Sequence, residues 1–167
     1  NHGLNTLKHQ PAKLAAIEGH WETNRDHGMP LLLFALPNME TESNDLEIGI
    51  PNLGSLILTH SLEGQVTGLK DFAAEDRPNA LIVFWSFRVM VGLGMLMVLL
   101  SLTALWLRKK GSLYESSWFH KFAIIMGPTG YIALLAGWVT TEVGRQPWVV
   151  YGVIRTKDGL SHTVTAD

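Results

Sequence analysis

The sequence predicts an all-α protein: a polytopic transmembrane helical bundle, with two spans in this chain and an extracytoplasmic loop. Two apolar runs without any Asp, Glu, Lys or Arg, residues 89–107 and 122–141, are the main observation. A helix over either run would rise roughly 28–30 Å, about the thickness of a hydrocarbon core. Charge distribution is the second observation. Residues 1–79 hold 5 Lys or Arg and 11 Asp or Glu, whereas Arg88 is the single charged residue of residues 80–107.

The composition of the 167 residues excludes several other classes of protein. A chain with 47% hydrophobic residues does not stay solvated and disordered. Disulfide and cysteine–zinc frameworks are impossible without Cys. A net charge of −2 does not suit a basic nucleic-acid binder, so we expect no nucleic-acid partner. The chain begins with Asn1 and has no signal-peptide pattern there, which leads us to expect a piece of a longer protein.

The acidic segment, residues 1–79, is expected to be an extramembrane loop with local order of its own. Gln10 and Pro11 open a predicted short helix over residues 12–22, because Pro is favoured at the first helical position. The spacing of three apolar residues puts them on one face of that helix: Leu14, Ile17 and Trp21. Two short apolar runs with a polar, turn-like stretch between them follow at residues 30–37, 38–47 and 49–58.

The spans are predicted at residues 80–108 and 118–142. A pair of buried helices in a soluble protein is the competing interpretation, but such helices usually carry a polar stripe and these do not. Gly and Pro in the second run are tolerated in spans where neighbours satisfy the backbone. Residues 109–117 form the predicted cytoplasmic loop, and residues 143–167 a second extracytoplasmic loop before a missing final helix.

The orientation follows from the connection between the spans. Its basic residues are Arg108, Lys109, Lys110 and Lys121, set against the single acid Glu115. Short basic loops stay on the cytoplasmic side, so the flanking segments are expected outside.

Two residues in the first run could carry chemistry. Arg88 lies far into an apolar helix, where it either extends its charge to the interface or pairs with an anion inside the protein, such as a haem propionate. Met90 has a thioether that can ligate haem iron, although a lone Met in a span usually serves packing.

The end of the second run carries the next candidates. Trp138, Glu142 and Arg145 share one helical face by their spacing. Glu142 and Arg145 either form an interfacial ion pair that contributes little to stability, or Glu142 is a carboxylate that faces a buried cofactor or proton path. Lys13 and Glu18 are five residues apart, and a solvated helix face explains them adequately.

Three blocks of sequence resemble one family. HGLNTLKHQPAKLAAIEGHWE (2–22) is similar to the start of the external quinol loop in subunit I of bacterial cytochrome bd-type quinol oxidases. FWSFRVMVGLG (84–94) resembles the seventh span of that subunit, and EVGRQPW (142–148) the end of its eighth. The order of the blocks and the short stretch of residues 30–79 resemble the cyanide-insensitive, short-loop type. The chain would then be a C-terminal fragment holding two of nine spans.

The resemblance implies roles for individual residues. Lys13 and Glu18 match the loop residues for quinol binding and oxidation. Met90 matches the ligand of the low-spin b haem iron, and Arg88 an arginine tied to that haem.

At the second predicted span, the resemblance implies residues that bind or neighbour the second haem. Glu142 matches the ligand of the high-spin b haem iron, Trp138 an aromatic residue near the haems, and Arg145 a neighbour of the propionates.

The implied function is that of a terminal oxidase subunit in the plasma (inner) membrane of a bacterium. It would oxidise ubiquinol or menaquinol and pass electrons through haems to O2, forming water and a proton gradient. Low-spin haem b, high-spin haem b and either haem d or a further haem b are the implied cofactors. A second oxidase subunit, a small accessory subunit and the lipid membrane are the implied partners. The fragment alone is expected to be inactive.

Two other functions are left open by the residues themselves. A non-redox membrane transporter or assembly subunit would use Arg88 and Glu142 as substrate or proton sites. A structural membrane anchor with a folded loop would use neither charge.

Overall fold

The computed structural model describes residues 2–24 and 27–159. They form two compact units, one made of Asn1–Trp85 with Val139–Asp167 and the other of Ser86–Trp138. Helices are the main secondary structure of the chain, which confirms a helical protein. Residues 160–167, the end of the predicted second loop, lie outside the described part of the chain.

Two short helices open the first unit. Helix α1 spans His2–His9 and α2 spans Pro11–Glu18. Pro11 occupies the start of α2, as predicted, because a first-turn residue needs no amide hydrogen for the helix. The helix ends at Glu18, earlier than the predicted residue 22, because Gly19 adopts the left-handed conformation with φ of 64°. Trp21 is still buried, but it is placed by the chain after the helix.

A β-hairpin follows, and it corrects the all-α prediction. Strand β1, Leu31–Asn38, pairs antiparallel with β2, Ser43–Ile50, from Leu31 opposite Ile50 to Asn38 opposite Ser43. The physical reason lies in β2, where Leu46, Ile48 and Ile50 alternate with polar residues or Gly at the period of a strand. The stretch predicted to be turn-like therefore contains a turn and most of a strand.

The predicted apolar run over residues 49–58 is also divided. Its first residues end β2, and helix α3, Leu53–Thr59, begins after the turn at Asn52. Two single 3-10 turns, Leu69–Asp71 and Ala74–Asp76, then lead to the first long helix.

Two clusters of buried apolar side chains hold this unit together. Members of the first come from α2, the chain before β1, α3 and the chain after it: Leu14, Met29, Leu58 and Val66, with Leu7 against them. The second joins β1 to the start of the next helix through Leu32, Ala35 and Phe84, with Trp85 against them. Phe84 is fully buried, so the chain at residues 84–85 is anchored in the core of the first unit.

The first long helix, α4, spans Ala80–Lys109 and contains the predicted first span. Asn79 caps its start, since its side-chain oxygen accepts the Ile82 amide at 3.1 Å. Many apolar side chains along it are exposed, including Met95 at 69% and Leu105 at 62%. The helix is long and apolar enough to cross a membrane, and such a surface requires lipid or further helices around it.

The second predicted span falls on a helical segment that is interrupted. Helix α5, Ser117–Met126, and helix α6, Thr129–Arg145, are separated at Gly127 and Pro128. Pro128 has no amide hydrogen for the helical pattern. The Thr129 hydroxyl donates to the Met126 carbonyl at 2.6 Å and supports the break. Together, the two helices form the second segment of span length.

A small hairpin follows α6 and is a second departure from the all-α prediction. Strand β3, Trp148–Val150, pairs antiparallel with β4, Ile154–Arg155. Arg155 reaches back to the segment before α4, with its guanidinium 2.9 Å from Asp76 and 3.3 Å from Glu75. Ion pairs of this kind link the chain after α6 to the loop before α4.

Candidate functional site: a polar cleft and the end of helix α6

The C-terminal end of α2 shapes the first part of the site. The Gly19 amide donates to Ala16, and the His20 amide donates to the Ala15 carbonyl at 2.8 Å. A Cβ on Gly19 would lie 2.9 Å from a ring carbon of Phe84, so both the backbone conformation and the close approach require glycine. This turn leaves Glu18 as the last helical residue, with His20 immediately beyond the turn.

Glu18 lines a cleft of about 360 Å³ between the end of α2 and the β1–β2 hairpin. Its apolar wall includes Pro30 and Leu32, and its polar wall includes His20 and Asn44. The volume is within the usual range for a small-molecule site. The side chain of Glu18 is only 9% exposed, so the cleft contains a carboxylate largely removed from bulk water.

Asn44 on β2 joins the walls of this cleft. Its side-chain oxygen accepts the indole N–H of Trp21 at 2.8 Å. Its amide nitrogen donates to the Gly19 carbonyl at 2.8 Å and to a carboxylate oxygen of Glu47 at 2.6 Å. The hairpin therefore holds the backbone on either side of His20 in place. Sequence reasoning did not identify Asn44, because its partners are distant along the chain.

Three further carboxylates around the cleft form ion pairs or hydrogen bonds. Glu22 forms an ion pair with Lys70 at 2.9 Å, and the Lys70 ammonium lowers the pKa of this exposed carboxyl. Glu42 forms an ion pair with Arg77 at 2.6 Å. Glu47 accepts the Asn44 hydrogen bond described above. Most of the negative charge in the cleft is thus compensated by a neighbouring donor.

A second cleft of about 510 Å³ adjoins the first and shares His20, Glu22, Pro30 and Lys70 with it. A ring nitrogen of His20, Nε2, lies 3.2 Å from the Val66 carbonyl oxygen. Burial lowers the pKa of His20 below its usual value, against smaller opposing effects of the Val66 carbonyl, Asn24 and the carboxylates of Asp71 and Glu47.

Lys13 lies in a different place from Glu18. Its ammonium donates to the Thr141 carbonyl at 3.3 Å, near the end of α6. A Cβ on Gly144 would lie 3.1 Å from the Lys13 side chain, so the lysine stem packs directly against that glycine. Lys13 does not line either cleft. The structure therefore brings Lys13 to the predicted haem residues of α6 and does not bring it into the Glu18 cleft.

Glu142 and Arg145 form an ion pair one turn apart on α6. Arg145 also donates to the Val149 carbonyl at 3.4 Å, while its Nε is buried without a hydrogen-bond partner in the described part of the chain. Burial lowers the pKa of the nearby Lys13 ammonium, the Glu142 carboxylate raises it, and the Arg145 guanidinium lowers it. Two cations and one carboxylate thus meet at this helix end.

The remaining candidates belong to the second unit. Met90 on α4 is half-buried, and its sulfur would lie 2.8 Å from a Cβ placed on Gly137 of α6. Gly137 therefore leaves space in which the thioether sits between the two helices. Arg88 is half-buried two residues earlier on α4, and Trp138 on α6 is 62% exposed.

The comparisons with known proteins identify the family. Residues 1–167 match the family "Cytochrome bd terminal oxidase subunit I". The chain is 37% identical to "Cytochrome bd ubiquinol oxidase subunit 1" of Bacillus subtilis (strain 168), over 96% of this chain and 36% of that protein. It is 33% identical to the "Putative cytochrome bd menaquinol oxidase subunit I" of the same organism, over 93% of this chain and 35% of that protein.

A more distant relative and a solved structure agree with these. The "Cytochrome bd-II ubiquinol oxidase subunit 1" of Escherichia coli (strain K12) is 29% identical, over 93% of this chain and 43% of that protein. The structure of bd oxidase from Geobacillus thermodenitrificans matches with a TM-score of 0.76 and 34% identity, over 95% of this chain and 36% of that one. The chain spans roughly a third to two fifths of these relatives, and it belongs to the cytochrome bd terminal oxidase subunit I family.

Proposed function

We propose that this chain is part of a haem-containing quinol:oxygen oxidoreductase subunit in the plasma membrane of a bacterium. The complete enzyme oxidises ubiquinol or menaquinol and reduces O2 to water, with generation of a proton gradient. One observation carries the proposal within the chain: a buried carboxylate, Glu18, lines a ligand-sized cleft. Membership of the family favours this function over a transporter or a structural anchor.

Glu18 is the proposed proton acceptor for quinol. A quinol loses two protons when it is oxidised, and a carboxylate in a low-dielectric cleft accepts one of them through a direct hydrogen bond. The cleft suits such a ligand because Pro30 and Leu32 offer apolar surface for the ring, while the Glu18 side supplies the polar contact. Glu18 is thereby held where a hydroxyl proton can be removed away from bulk water.

Lys13 is the proposed second quinol residue. The ammonium has three N–H donors, and the Thr141 carbonyl is the acceptor for one of them. Its position beside α6, the helix with the proposed haem ligand Glu142, supports a role in binding a quinol oxygen. Lys13 and Glu18 then act on different sides of α2.

The residues at the proposed haem sites fit the groups assigned to them. A thioether suits a low-spin haem b iron and a carboxylate suits a high-spin one, so Met90 and Glu142 are the proposed ligands. The buried Nε of Arg145 needs an acceptor, which an anionic propionate provides. Arg88 is the proposed partner of the other haem, and Trp138 is proposed to lie near the haems. When bound, these groups and a third haem, d or b, supply electron transfer to O2.

The proposed topology follows the charge pattern. The basic connection between α4 and α5 lies in the cytoplasm, and residues 1–79 with 143–167 lie outside. Quinol oxidation at the loop then releases protons on the external side. A second oxidase subunit and a small accessory subunit are the proposed protein partners, because the exposed apolar surface of α4 requires neighbours or lipid.

The test uses the complete oxidase with Glu18→Gln, which preserves the shape of the side chain but not its basicity. We expect quinol turnover to fall roughly 100-fold, the lower end of what a positioned general base contributes. The reduced-minus-oxidised haem spectrum should remain that of the parent. Glu63→Gln is the matched control, because Glu63 is an exposed carboxylate of the same loop outside both clefts. Full turnover in Glu18→Gln would refute the assignment, and a parent without haem absorption would refute the function.

A further inference from the structure

The cleft that contains Glu18 has a second group able to accept a proton. Quinol oxidation releases two protons, and a single carboxylate accounts for one of them. His20 lines the same cleft, two residues beyond Glu18 and on the far side of the Gly19 turn.

The hydrogen bond to Val66 determines which ring nitrogen of His20 can act as a base. A carbonyl oxygen only accepts, so the Nε2 atom 3.2 Å from the Val66 oxygen must carry a hydrogen. In the neutral ring, Nδ1 is then the atom with a free lone pair. Val66 is buried at 2% exposure, so this anchor is a fixed part of the structure.

The other ionisable groups of the cleft are poor candidates for the same task. Glu22 and Glu42 are held in ion pairs with Lys70 and Arg77. Glu47 accepts a hydrogen bond from the Asn44 side chain. Among the described residues that line the Glu18 cleft, His20 is the neutral base whose ordinary pKa lies nearest to physiological pH.

The shared position of His20 also provides an exit for the proton. The same ring lines the adjoining cleft of about 510 Å³, whose wall includes Glu22 and Asp71. Because Nε2 stays bonded to the Val66 carbonyl, Nδ1 both accepts the proton and releases it, to water or to a carboxylate. The charged and titratable groups that line the two clefts with this ring are Glu18, Glu22, His27, Glu42, Glu47, Lys70 and Asp71.

We propose that His20 is the second proton acceptor in quinol oxidation and passes its proton to the adjoining cleft. The inference rests on the proposed quinol oxidase function. Both quinol O–H bonds break: one proton forms an O–H bond with Glu18 and the other an N–H bond with Nδ1 of His20. Quinol loses two electrons as it becomes quinone, and the haem groups of the complete enzyme would accept them. Both residues then release their protons to the external solvent.

The acid dependence of turnover follows from this role. A protonated imidazole cannot accept a further proton, so turnover should rise with pH as His20 loses its proton. Burial lowers the pKa of His20, which places this rise below about pH 6.5. A purely structural histidine would not link the rate of quinol oxidation to that ionisation.

The experiment measures quinol turnover against pH in the complete oxidase carrying His20→Gln. The glutamine amide can still donate to the Val66 carbonyl, but it does not titrate. We expect kcat to fall roughly 100-fold, the acid limb assigned to His20 to disappear, and KM and the haem spectrum to change little. His9→Gln is the matched control, because His9 is an exposed histidine of the same loop that lines neither cleft.

A second variant keeps the inference testable if His20→Gln does not assemble. His20→Glu restores a base at the same place, so it should recover most of the turnover and move the acid limb to lower pH. Parent-like kcat and pH dependence in His20→Gln, or equal loss in His20→Glu and His20→Gln, would overturn the role of His20. A parent enzyme that oxidises no quinol would overturn the proposed function instead.

Discussion

Asn44→Ala should loosen the loop around the Glu18 cleft more than Asn38→Ala, the same substitution at the other asparagine of the hairpin. The substitution removes the acceptor of the buried Trp21 indole N–H and the donor to the Gly19 carbonyl, both at 2.8 Å. Each lost hydrogen bond costs about 0.5–1.5 kcal/mol, and a buried donor left unsatisfied costs about 1–3 kcal/mol. A total of about 2–4 kcal/mol in local stability corresponds to a roughly 30- to 900-fold increase in local opening.

Hydrogen exchange measures this opening directly in the complete oxidase. The amides of Leu69 and Lys70 donate to the carbonyls of His20 and Trp21 at 2.8 and 2.9 Å, so their protection reports the attachment of the segment. Asn38→Ala is the control, because the Asn38 side chain only accepts nearby turn amides of the exposed hairpin tip. Equal protection of Leu69 and Lys70 in Asn44→Ala and the parent would show that the hairpin does not hold the cleft together.

Two further predictions concern the helices. Met90→Leu in the complete oxidase should remove the low-spin haem b signal, because Leu has no sulfur to ligate the iron. Met97→Leu is the control and should keep that signal. A parent-like reduced spectrum in Met90→Leu would contradict ligation by Met90. Gly144→Ala places a Cβ 3.1 Å from the Lys13 stem, so its effect on thermal unfolding should not add to that of Lys13→Ala. A double-mutant cycle should give a coupling of about 0.5–1 kcal/mol, and strict additivity would exclude the contact.

The long helices were predictable because their signal is local. Residues 89–107 lie within α4, and residues 122–141 lie within the segment made by α5 and α6. Composition alone reveals such runs, since an apolar stretch of that length has few alternatives. The interruption at Gly127 and Pro128 was not predicted, because spans often tolerate these residues without a break.

The strands were missed for the opposite reason. A strand gains its stability from a partner elsewhere in the chain, so Leu31–Asn38 reads by itself as a short apolar run. The alternation of Leu46, Ile48 and Ile50 was the available signal for β2, but the polar residues before and between them made the segment resemble a turn. Pairing with β1 decided the outcome.

The residues of the candidate site were likewise only partly identifiable from the sequence. Family resemblance drew attention to Lys13 and Glu18 on one short helix, and their predicted roles in quinol oxidation remain proposals. Spacing alone could not show that Lys13 contacts the end of α6 while Glu18 lines the cleft. Nor could it identify His20 and Asn44, whose hydrogen-bond partners lie 46 and 23–25 residues away in sequence.

The sequence by itself determined the helical segments of span length, the basic connection between them and the family to which the chain belongs. These depend on composition and motifs, which are properties of contiguous residues. Only the tertiary structure decided which side chains share the cleft and that Lys13 belongs to the α6 end. The physical reason is that burial and hydrogen bonding between distant segments, as between Asn44 and Trp21, exist only once the chain has folded.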